Sequence, residues 1–344
     1  MKPSRIGEFG LIQKIKAICD RPSDRVVLGI GDDGALVQPR TGTLAILTTD
    51  ALVEGVHFDL RYTPLESLGW KALAVSLSDV AAMGGVPVCG VVSLAVPDNW
   101  SVENVEALYT GMERCGRAFA CPVVGGDTVR SPGASFISIT VLGEVEADSG
   151  KRRSTSRSGD LLCVTGELGG ARTGWEALEG NYTPEQWVRS KTRFLQPRPR
   201  IGEARRLMDA FGVTACIDIS DGLGSEIRHL CDGSGLGCEV YEDRIHVLEE
   251  AAAWALRTGN QPVLFAIESG EEYELLFTVD PDRWEQSECR EELCASIPVT
   301  VIGAMLPAEQ GMSLCTGDGR RLWTWTGWDH FLGHGSIMRD GGHD

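Results

Sequence analysis

The sequence predicts a mixed α/β protein built from two domains. Three observations support this prediction: a length of 344 residues, an alternation of short β-branched runs with longer helical patterns, and a polar break in the first half. The length exceeds that of one typical domain, and an apolar content of 42% is enough for buried cores. The alternation alone leaves both the α/β and the α+β class open.

The predicted strands are short apolar runs bounded by turn residues. In chain order they are 43–50, 86–96, 121–126, 135–145, 160–166, 214–220 and 273–279. Longer stretches with apolar residues at helical spacing predict helices. These stretches are 64–85, 101–120 and 200–212.

The stretch EADSGKRRSTSRSGD separates the strand at 135–145 from the next apolar run and predicts a domain boundary. We therefore expect an N-terminal domain at 1–148 and a C-terminal domain at 149–332. Residues 333–344 are Gly-rich and polar, so they are expected to form a flexible tail.

Charge and composition exclude several classes of partner. A net charge of −17 and a pI near 4.8 argue against a protein that binds nucleic acid along its backbone. No window approaches the roughly 20 apolar residues of a membrane span, and MKPSRIGEFGLIQKI contains no apolar signal region. We expect a cytoplasmic protein whose eleven cysteines are reduced and mostly buried, because they contain no C-x-x-C pair.

Four segments share one design, in which an apolar run leads into acids and hydroxyls beside glycine: GIGDDGALV, ILTTDALVEGVHF, VVGGDTV and CIDISDGL. The residues so placed are Asp32, Asp33, Thr48, Thr49, Asp50, Asp127, Thr128, Asp218, Ser220 and Asp221. Any one segment could be a turn or a helix N-cap at a strand end. Together they favour Mg²⁺, which prefers oxygen ligands and bridges carboxylates to substrate phosphates.

Asp79 lies within a predicted helix among small and apolar residues. Lys71 precedes it by eight residues, about 12 Å along a helix, which is too far to pair within that helix. A buried carboxylate needs a cation or hydrogen bonds. Mg²⁺ would satisfy Asp79, and a backbone hydrogen bond in a kinked helix is the alternative.

Other phosphate chemistries lack their motifs. The segment DISDGLGSEIRH has Gly222 and His229 where a calcium loop needs oxygen ligands, and no Walker A, protein-kinase or H-E-x-x-H motif occurs. The glycine cluster GELGGARTG could approach a phosphate or form a tight turn. No nucleophile elbow is present, which favours transfer without a covalent intermediate.

The motifs, taken in order, resemble those of the thiamine-monophosphate kinases. They are GEFGLI, LGIGDDGALV, TTDALVEGVHF, KALAVSLSDVAAMGG, VVGGDT, IDISDGL, SGEEYELLFTV and GWDHF. That family belongs to a superfamily with aminoimidazole ribonucleotide synthetase. The resemblance implies a two-domain fold like that of the synthetase, a homodimer formed through the strands of the N-terminal domain, and a cleft that binds ATP and thiamine monophosphate.

The resemblance also implies roles for individual residues. It implies Mg²⁺ ligands at Asp33, Thr48, Thr49, Asp50, Asp79, Asp127, Asp218 and Asp221, with Asp127, Asp218 and Asp221 carrying the catalysis. It implies ATP contacts at Gly126, Asp127, Arg153 and Ser220, and substrate contacts at His57, Glu271 and Trp328.

Some of these assignments keep alternatives. The chain reads RSTSRSGD where the family usually has R-S-G-A-K-P-G-D, so Arg152 and Arg157 compete with Arg153. Without the resemblance, His57 could be a core histidine. Trp328 could be a packed tryptophan instead of one that stacks on an aromatic ring.

The implied reaction explains the number of acids. Both phosphates that react are anionic, and several Mg²⁺ ions could screen their repulsion and align their oxygens. The attacking phosphate oxygen is already ionised at neutral pH, so no general base is needed. Two alternatives remain: another ATP-dependent enzyme of the superfamily, or a non-catalytic nucleotide-binding relative.

Overall fold

The protein is represented by a computed structural model that describes residues 1–2, 5–19, 23–30, 35–180, 182, 185–288 and 290–325. Asp32, Asp33, Trp328 and the predicted tail at 333–344 lie outside the described residues. The chain divides into two units. The first is Met1–Gly150 with Leu195–Ile201, and the second is Lys151–Phe194 with Gly202–Asp344.

The first unit combines a sheet with helices on one face. Its elements are α1 Gly7–Cys19, β1 Val26–Leu28, β2 Leu36–Val37, β3 Thr43–Val53, α2 Leu65–Ala82, β4 Val86–Pro97, α3 Val102–Ala118, β5 Val123–Ser131 and β6 Phe136–Glu146. Its larger described sheet has the order β3-β6-β4-β5, in which β4 and β5 are parallel and the other pairs are antiparallel. Strands β1 and β2 form a separate antiparallel pair.

Helix α2 packs against both the sheet and helix α3. Glycines let the two helices approach closely, because a Cβ at Gly69 would lie 1.9 Å from the carbonyl oxygen of Leu108. Helix α3 begins at a capping box: the Ser101 hydroxyl accepts from the Asn104 amide, and the Asn104 side chain accepts from the Ser101 amide. The predicted helices at 64–85 and 101–120 are confirmed as α2 and α3.

The rest of the chain alternates strands and helices. Its elements are β7 Leu161–Thr165, α4 Gly170–Glu179, α5 Val188–Leu195, α6 Ile201–Phe211, β8 Ala215–Asp218, α7 Leu223–Ser234, β9 Leu236–Tyr241, α8 Glu249–Arg257, α9 Pro262–Ile267, β10 Leu275–Val279, α10 Pro281–Gln286, α11 Arg290–Ser296, β11 Val299–Pro307, β12 Met312–Thr316 and β13 Gly319–Leu322. Among the described residues the strands form one sheet in the order β13-β12-β9-β11-β7-β10-β8. Only the β12–β9 pair in that sheet is parallel.

The core of the second unit lies between this sheet and helix α7. Ile227, Leu230 and Cys231 of α7 are buried in one cluster with Ile217 of β8 and Leu276 of β10. None of the ten described cysteines forms a disulfide, and eight of them are buried. The prediction of buried cysteines without disulfide bonds is therefore confirmed for those eight residues.

Two of the acidic segments lie within strands and not at their ends. This finding corrects the strands predicted at 43–50 and 121–126. Strand β3 continues past Asp50 to Val53, and β5 continues past Asp127 to Ser131. Both strands continue because their neighbours keep pairing with them, through β6 at Phe136 and β4 at Pro97. Asp218, in contrast, is the last residue of β8.

No helix among the described residues is both long and apolar enough to cross a membrane.

Candidate active site

A pair of carboxylates and a hydroxyl meet between β3 and α2 in the first unit. The Thr48 hydroxyl donates a hydrogen bond to Oδ2 of Asp79. Asp50 lies two residues further along the same strand and is close enough to Asp79 for the two charges to repel. Asp79 keeps regular helical geometry, since its carbonyl accepts from the Met83 amide at 3.1 Å.

The two-residue period of a strand explains this grouping. Ile46 and Leu52 are buried on the face of β3 that meets α2, and Thr48 and Asp50 share that face by alternation. Thr49 faces the other side of the sheet. There its hydroxyl accepts from the Thr140 hydroxyl at 3.0 Å.

The environment of Asp50 is unfavourable for a negative charge. Burial, followed by repulsion from Asp79, raises its pKa to about 6, although a hydrogen bond with Ser76 opposes the rise. Its Oδ2 atom is buried and has no hydrogen-bond partner among the described residues. A bound cation would relieve both effects.

The donor set therefore fits Mg²⁺. Two carboxylates and a hydroxyl are oxygen ligands, and the unpartnered Oδ2 of Asp50 leaves a ligand position open. Because Thr48 gives its proton to Asp79, its oxygen lone pairs remain available to a cation. Within the described residues no group of three or more His, Cys, Asp or Glu side chains forms a ready-made metal cluster.

Gly126 and Asp127 lie on β5, at the other edge of the same sheet. The strand order places β5 three positions from β3, or about 14 Å from Asp50 at the usual spacing. Thr128 hydrogen-bonds Tyr109 of α3, so the neighbouring Asp127 faces away from the helices and is exposed. Within the first unit, the structure thus does not bring Asp127 to Asp50.

Gly126 is required by its backbone. Its φ of +152° is rare for residues with a side chain, and a Cβ there would lie 2.0 Å from the carbonyl oxygen of Val92. Any larger residue would push β5 away from β4.

His57 follows β3 in a turn that fixes its tautomer. Its Nδ1 accepts from the Val53 amide at 3.1 Å, and its own amide donates to the Val53 carbonyl at 3.0 Å. A ring nitrogen that accepts cannot carry the proton, so Nε2 carries it. His57 is half-buried, and its ring could donate to a ligand only through Nε2.

A second group of acids lies at the junction of β8 and α7 in the second unit. Asp218 ends β8 and is buried, and the half-buried Ser220 and Asp221 follow it. Glu226, on the first turn of α7, accepts from the amides of Ser220 at 3.0 Å and Asp221 at 2.8 Å through one oxygen. Burial, followed by the charge of Asp221, raises the pKa of Glu226 to about 7, although backbone hydrogen bonds oppose the rise.

The N-cap interpretation of these acids does not hold for α7. Its N-cap is Gly222, with a φ of +110° and no side-chain cap. The carboxylate that binds this end of the helix comes from Glu226, and Asp221 remains outside it.

The segment before β10 is pinned to the same loop by backbone hydrogen bonds. The Glu271 amide donates to the Ser220 carbonyl at 2.6 Å, and the Tyr273 amide donates to the Ile219 carbonyl at 2.9 Å. Glu271 and Tyr273 both have positive φ, at 58° and 52°. Such strain costs about 1–3 kcal/mol per residue and is concentrated at functional sites.

The three candidate arginines lie elsewhere on the second unit. The Arg153 carbonyl accepts from the Ser234 hydroxyl at 3.3 Å, at the last residue of α7. Ser220 precedes the other end of that helix, whose 12 residues span about 18 Å. Arg152, Arg153 and Arg157 are all exposed, so their order of preference stays open.

Sequence reasoning missed two buried glutamates of the second unit, Glu226 and Glu272. Glu272 is adjacent to Glu271 and accepts from the Ala171 amide at 3.1 Å and the Ser269 hydroxyl at 2.5 Å. Its pKa rises to about 7, mainly through burial. The signal for Glu226 was present in the sequence, because an acid in the first turn of a helix points back toward the preceding loop.

Comparison with known protein families shows the general class to which the chain is similar. Residues 31–145 match the AIR synthase related protein, N-terminal domain, and residues 157–310 match the AIR synthase related protein, C-terminal domain. The chain is therefore similar to two-domain AIR synthase related proteins along most of its length.

Individual relatives narrow this class. Thiamine-monophosphate kinase from Bacillus subtilis (strain 168) is 34% identical over 302 residues, which are 86% of this chain and 90% of the relative. The enzyme of that name from Aquifex aeolicus (strain VF5) is 35% identical over 334 residues, 96% of this chain and 100% of the relative. A solved structure described as AaThiL complexed with AMPPCP and TMP is 34% identical, with a TM-score of 0.75, and covers 96% of this chain and 99% of its own. The chain belongs to the thiamine-monophosphate kinase family.

Proposed function

We propose that this protein transfers the γ-phosphate of ATP directly to thiamine monophosphate and so forms thiamine diphosphate. The observation that carries the proposal is the Asp50–Asp79 pair, where a buried oxygen without a partner and a raised pKa call for a cation. Relatives named thiamine-monophosphate kinase, and a similar structure complexed with AMPPCP and TMP, support the choice of substrates.

Two oxygen-rich groups, one in each unit, would hold the ions. In the first unit these are Thr48, Asp50 and Asp79, and in the second Asp218 and Asp221. Bound Mg²⁺ would neutralise the phosphates as they approach and stabilise the negative charge of the transition state. The predictions for Asp33, Thr49 and Asp127 as further ligands stay part of this proposal.

Protein groups would position the substrates. The Gly126 backbone can approach a phosphate without steric hindrance from a side chain, and Arg153 can form two hydrogen bonds with phosphate oxygens. Nε2–H of His57 is a donor that could fix the acceptor substrate. Glu271, with its positive φ, completes the predicted contacts together with Trp328, which lies outside the described residues. Direct transfer needs no protein nucleophile, because the attacking phosphate is already ionised.

We also propose that the protein is a cytoplasmic homodimer. The face of the β3-β6-β4-β5 sheet that points away from the helices exposes Leu47 by 74%, Val129 by 51%, and Val91 and Phe136 by 37% each. A sheet face with exposed large apolar side chains is typical of an interface. The lack of disulfides among the ten described cysteines supports a reducing compartment.

The activity is tested by incubating the purified protein with ATP, MgCl₂ and thiamine monophosphate, with thiamine as the control acceptor. Chromatography should show thiamine diphosphate from the monophosphate alone, with one ADP per product and no product in EDTA. No product from the monophosphate under these conditions would refute the proposed acceptor.

A further inference from the structure

We propose that Glu226 is a positioning residue of the phosphoryl-transfer site, which fixes the Ser220–Asp221 backbone and turns the Ser220 oxygen lone pairs toward the ligand. The inference rests on the proposed function, because Ser220 and Asp221 are its predicted ATP and Mg²⁺ contacts. Glu226 itself would touch neither substrate nor metal.

One carboxylate oxygen of Glu226 accepts three hydrogen bonds. Oε1 accepts from the Ser220 amide at 3.0 Å, from the Asp221 amide at 2.8 Å and from the Ser220 hydroxyl at 3.2 Å. The peptide groups on both sides of Ser220 are therefore held in one orientation. The side chain that makes these contacts is only 1% exposed, so water does not compete for them.

The third hydrogen bond decides what Ser220 can offer a ligand. Oε1 acts as an acceptor whether or not Glu226 carries a proton, since a proton would reside on the unpartnered Oε2. The Ser220 hydroxyl must then donate its single hydrogen to Glu226. Its lone pairs remain for a cation or for an N–H group, and it cannot donate to a phosphate oxygen.

The loop is also held from its other side. The Ser220 carbonyl accepts from the Glu271 amide at 2.6 Å, while the Ile219 amide donates to the Glu274 carbonyl at 2.8 Å. Ser220 is thus fixed through its amide, its hydroxyl and its carbonyl. Such outer contacts position a site before the ligand binds.

A glutamate with a purely structural role would affect stability without affecting ligand binding. Glu250 provides such a matched control. Glu250 also binds two consecutive amides with its carboxylate, those of Arg189 at 3.2 Å and Ser190 at 2.8 Å, at the start of α5. Loss of Glu250 would affect stability alone. Loss of Glu226 should affect the binding of metal and nucleotide in addition.

The test compares Glu226→Met, Glu226→Gln and Glu250→Met in the full chain. Methionine keeps the volume and removes the acceptor, whereas glutamine keeps the acceptor and removes the charge. Mn²⁺ binding with AMPPCP is measured by electron paramagnetic resonance, alongside KM, kcat and the melting temperature without ligand. We expect Glu226→Met to weaken Mn²⁺ binding by about 10–100-fold, the range for outer contacts of metal ligands. We expect Glu226→Gln and Glu250→Met to bind Mn²⁺ with an affinity within about threefold of that of the natural protein.

Two results would overturn the proposal: a Glu226→Met variant that binds Mn²⁺–AMPPCP like the natural protein, or a Glu226→Gln variant that binds as poorly as the methionine variant. Hydrogen exchange on the unmodified, ligand-free protein gives an independent check if the methionine variant does not fold. The amides of Ser220 and Asp221 should be protected, and exchange as fast as in exposed loops would contradict the anchor. If the natural protein binds Mn²⁺–AMPPCP but makes no thiamine diphosphate, the proposed function fails while these comparisons still decide the role of Glu226.

Discussion

Replacing Asp50 with asparagine should stabilise the metal-free protein while it abolishes metal binding by the Thr48, Asp50 and Asp79 group. The physical reason is that Asp50 is more costly as an anion in the folded chain than in the unfolded chain. Burial and the nearby Asp79 raise its pKa from 3.8 to about 6. Asparagine has nearly the same shape and no charge to bury.

The size of the effect follows from that shift. A change from 3.8 to about 6 corresponds to about 3 kcal/mol at 1.36 kcal/mol per pKa unit. Because Asp50 is half-buried, solvent screening reduces this figure, and about half of it is a reasonable expectation. A gain of about 1.5 kcal/mol raises the melting temperature of a domain of this size by about 3–6 °C.

The dependence on pH gives the sign of the effect. A carboxyl with a raised pKa in the folded state keeps its proton there to higher pH than in the unfolded state. Stability is therefore lost as pH rises from about 4 to about 6, and the full penalty remains above pH 6. The advantage of Asp50→Asn should accordingly be small at pH 4 and largest at pH 7.5.

The assay is thermal unfolding of both proteins at pH 4 and pH 7.5, each with EDTA, and at pH 7.5 with Mg²⁺ and AMPPCP. The ligands should raise the melting temperature of the natural protein by more than that of the variant, which has lost one of the two proposed metal groups. A variant that is less stable than the natural protein at pH 7.5 in EDTA, or an advantage equal at both pH values, would refute the reasoning.

Two further predictions use matched pairs of residues. Gly111→Ala in α3 should destabilise the first unit by about 3 kcal/mol or more, because its Cβ would lie 1.9 Å from the Glu66 carbonyl oxygen. Gly202→Ala in α6 meets nothing within 4 Å and should be neutral or stabilising by up to about 1 kcal/mol in urea unfolding; equal effects of the two alanines would contradict the packing argument. Leu47→Glu should convert the proposed dimer to monomer in sedimentation, whereas Leu322→Glu, at an equally exposed position of 75% on β13, should not. A dimer that survives Leu47→Glu would place the interface elsewhere.

The regular elements were largely readable from sequence because their patterns are local. Apolar spacing predicted α2, α3 and α6 to within three residues at each end, and the capping box at Ser101 marks the start of α3. The extent of β3 and β5 was not readable in this way. Both strands run on through polar residues, because pairing with β4 and β6 decides their length and that pairing is not local.

The candidate site likewise has features that the sequence predicts and features that only the fold reveals. A run such as Thr48–Thr49–Asp50 looks like one set of ligands in sequence, but the strand period sends Thr49 to the opposite face. Only the fold shows that Thr48 donates to Asp79, which lies 31 residues away on α2. Sequence can therefore name the oxygen ligands, while their grouping depends on which strand faces which helix.

The two units prepare their oxygens for cations by the same chemical means. In each, a hydroxyl gives its hydrogen to a carboxylate, from Thr48 to Asp79 and from Ser220 to Glu226, so that only lone pairs remain. In each group, a carboxylate also has a buried oxygen without a hydrogen-bond partner among the described residues: Oδ2 of Asp50 in the first unit and Oε2 of Glu226 in the second. A buried carboxylate oxygen without a partner costs free energy of folding. The net charge of −17 adds electrostatic repulsion within the folded chain. At Asp50 the cost is offset when a cation binds, so affinity for Mg²⁺ and weak stability without it would have one physical origin.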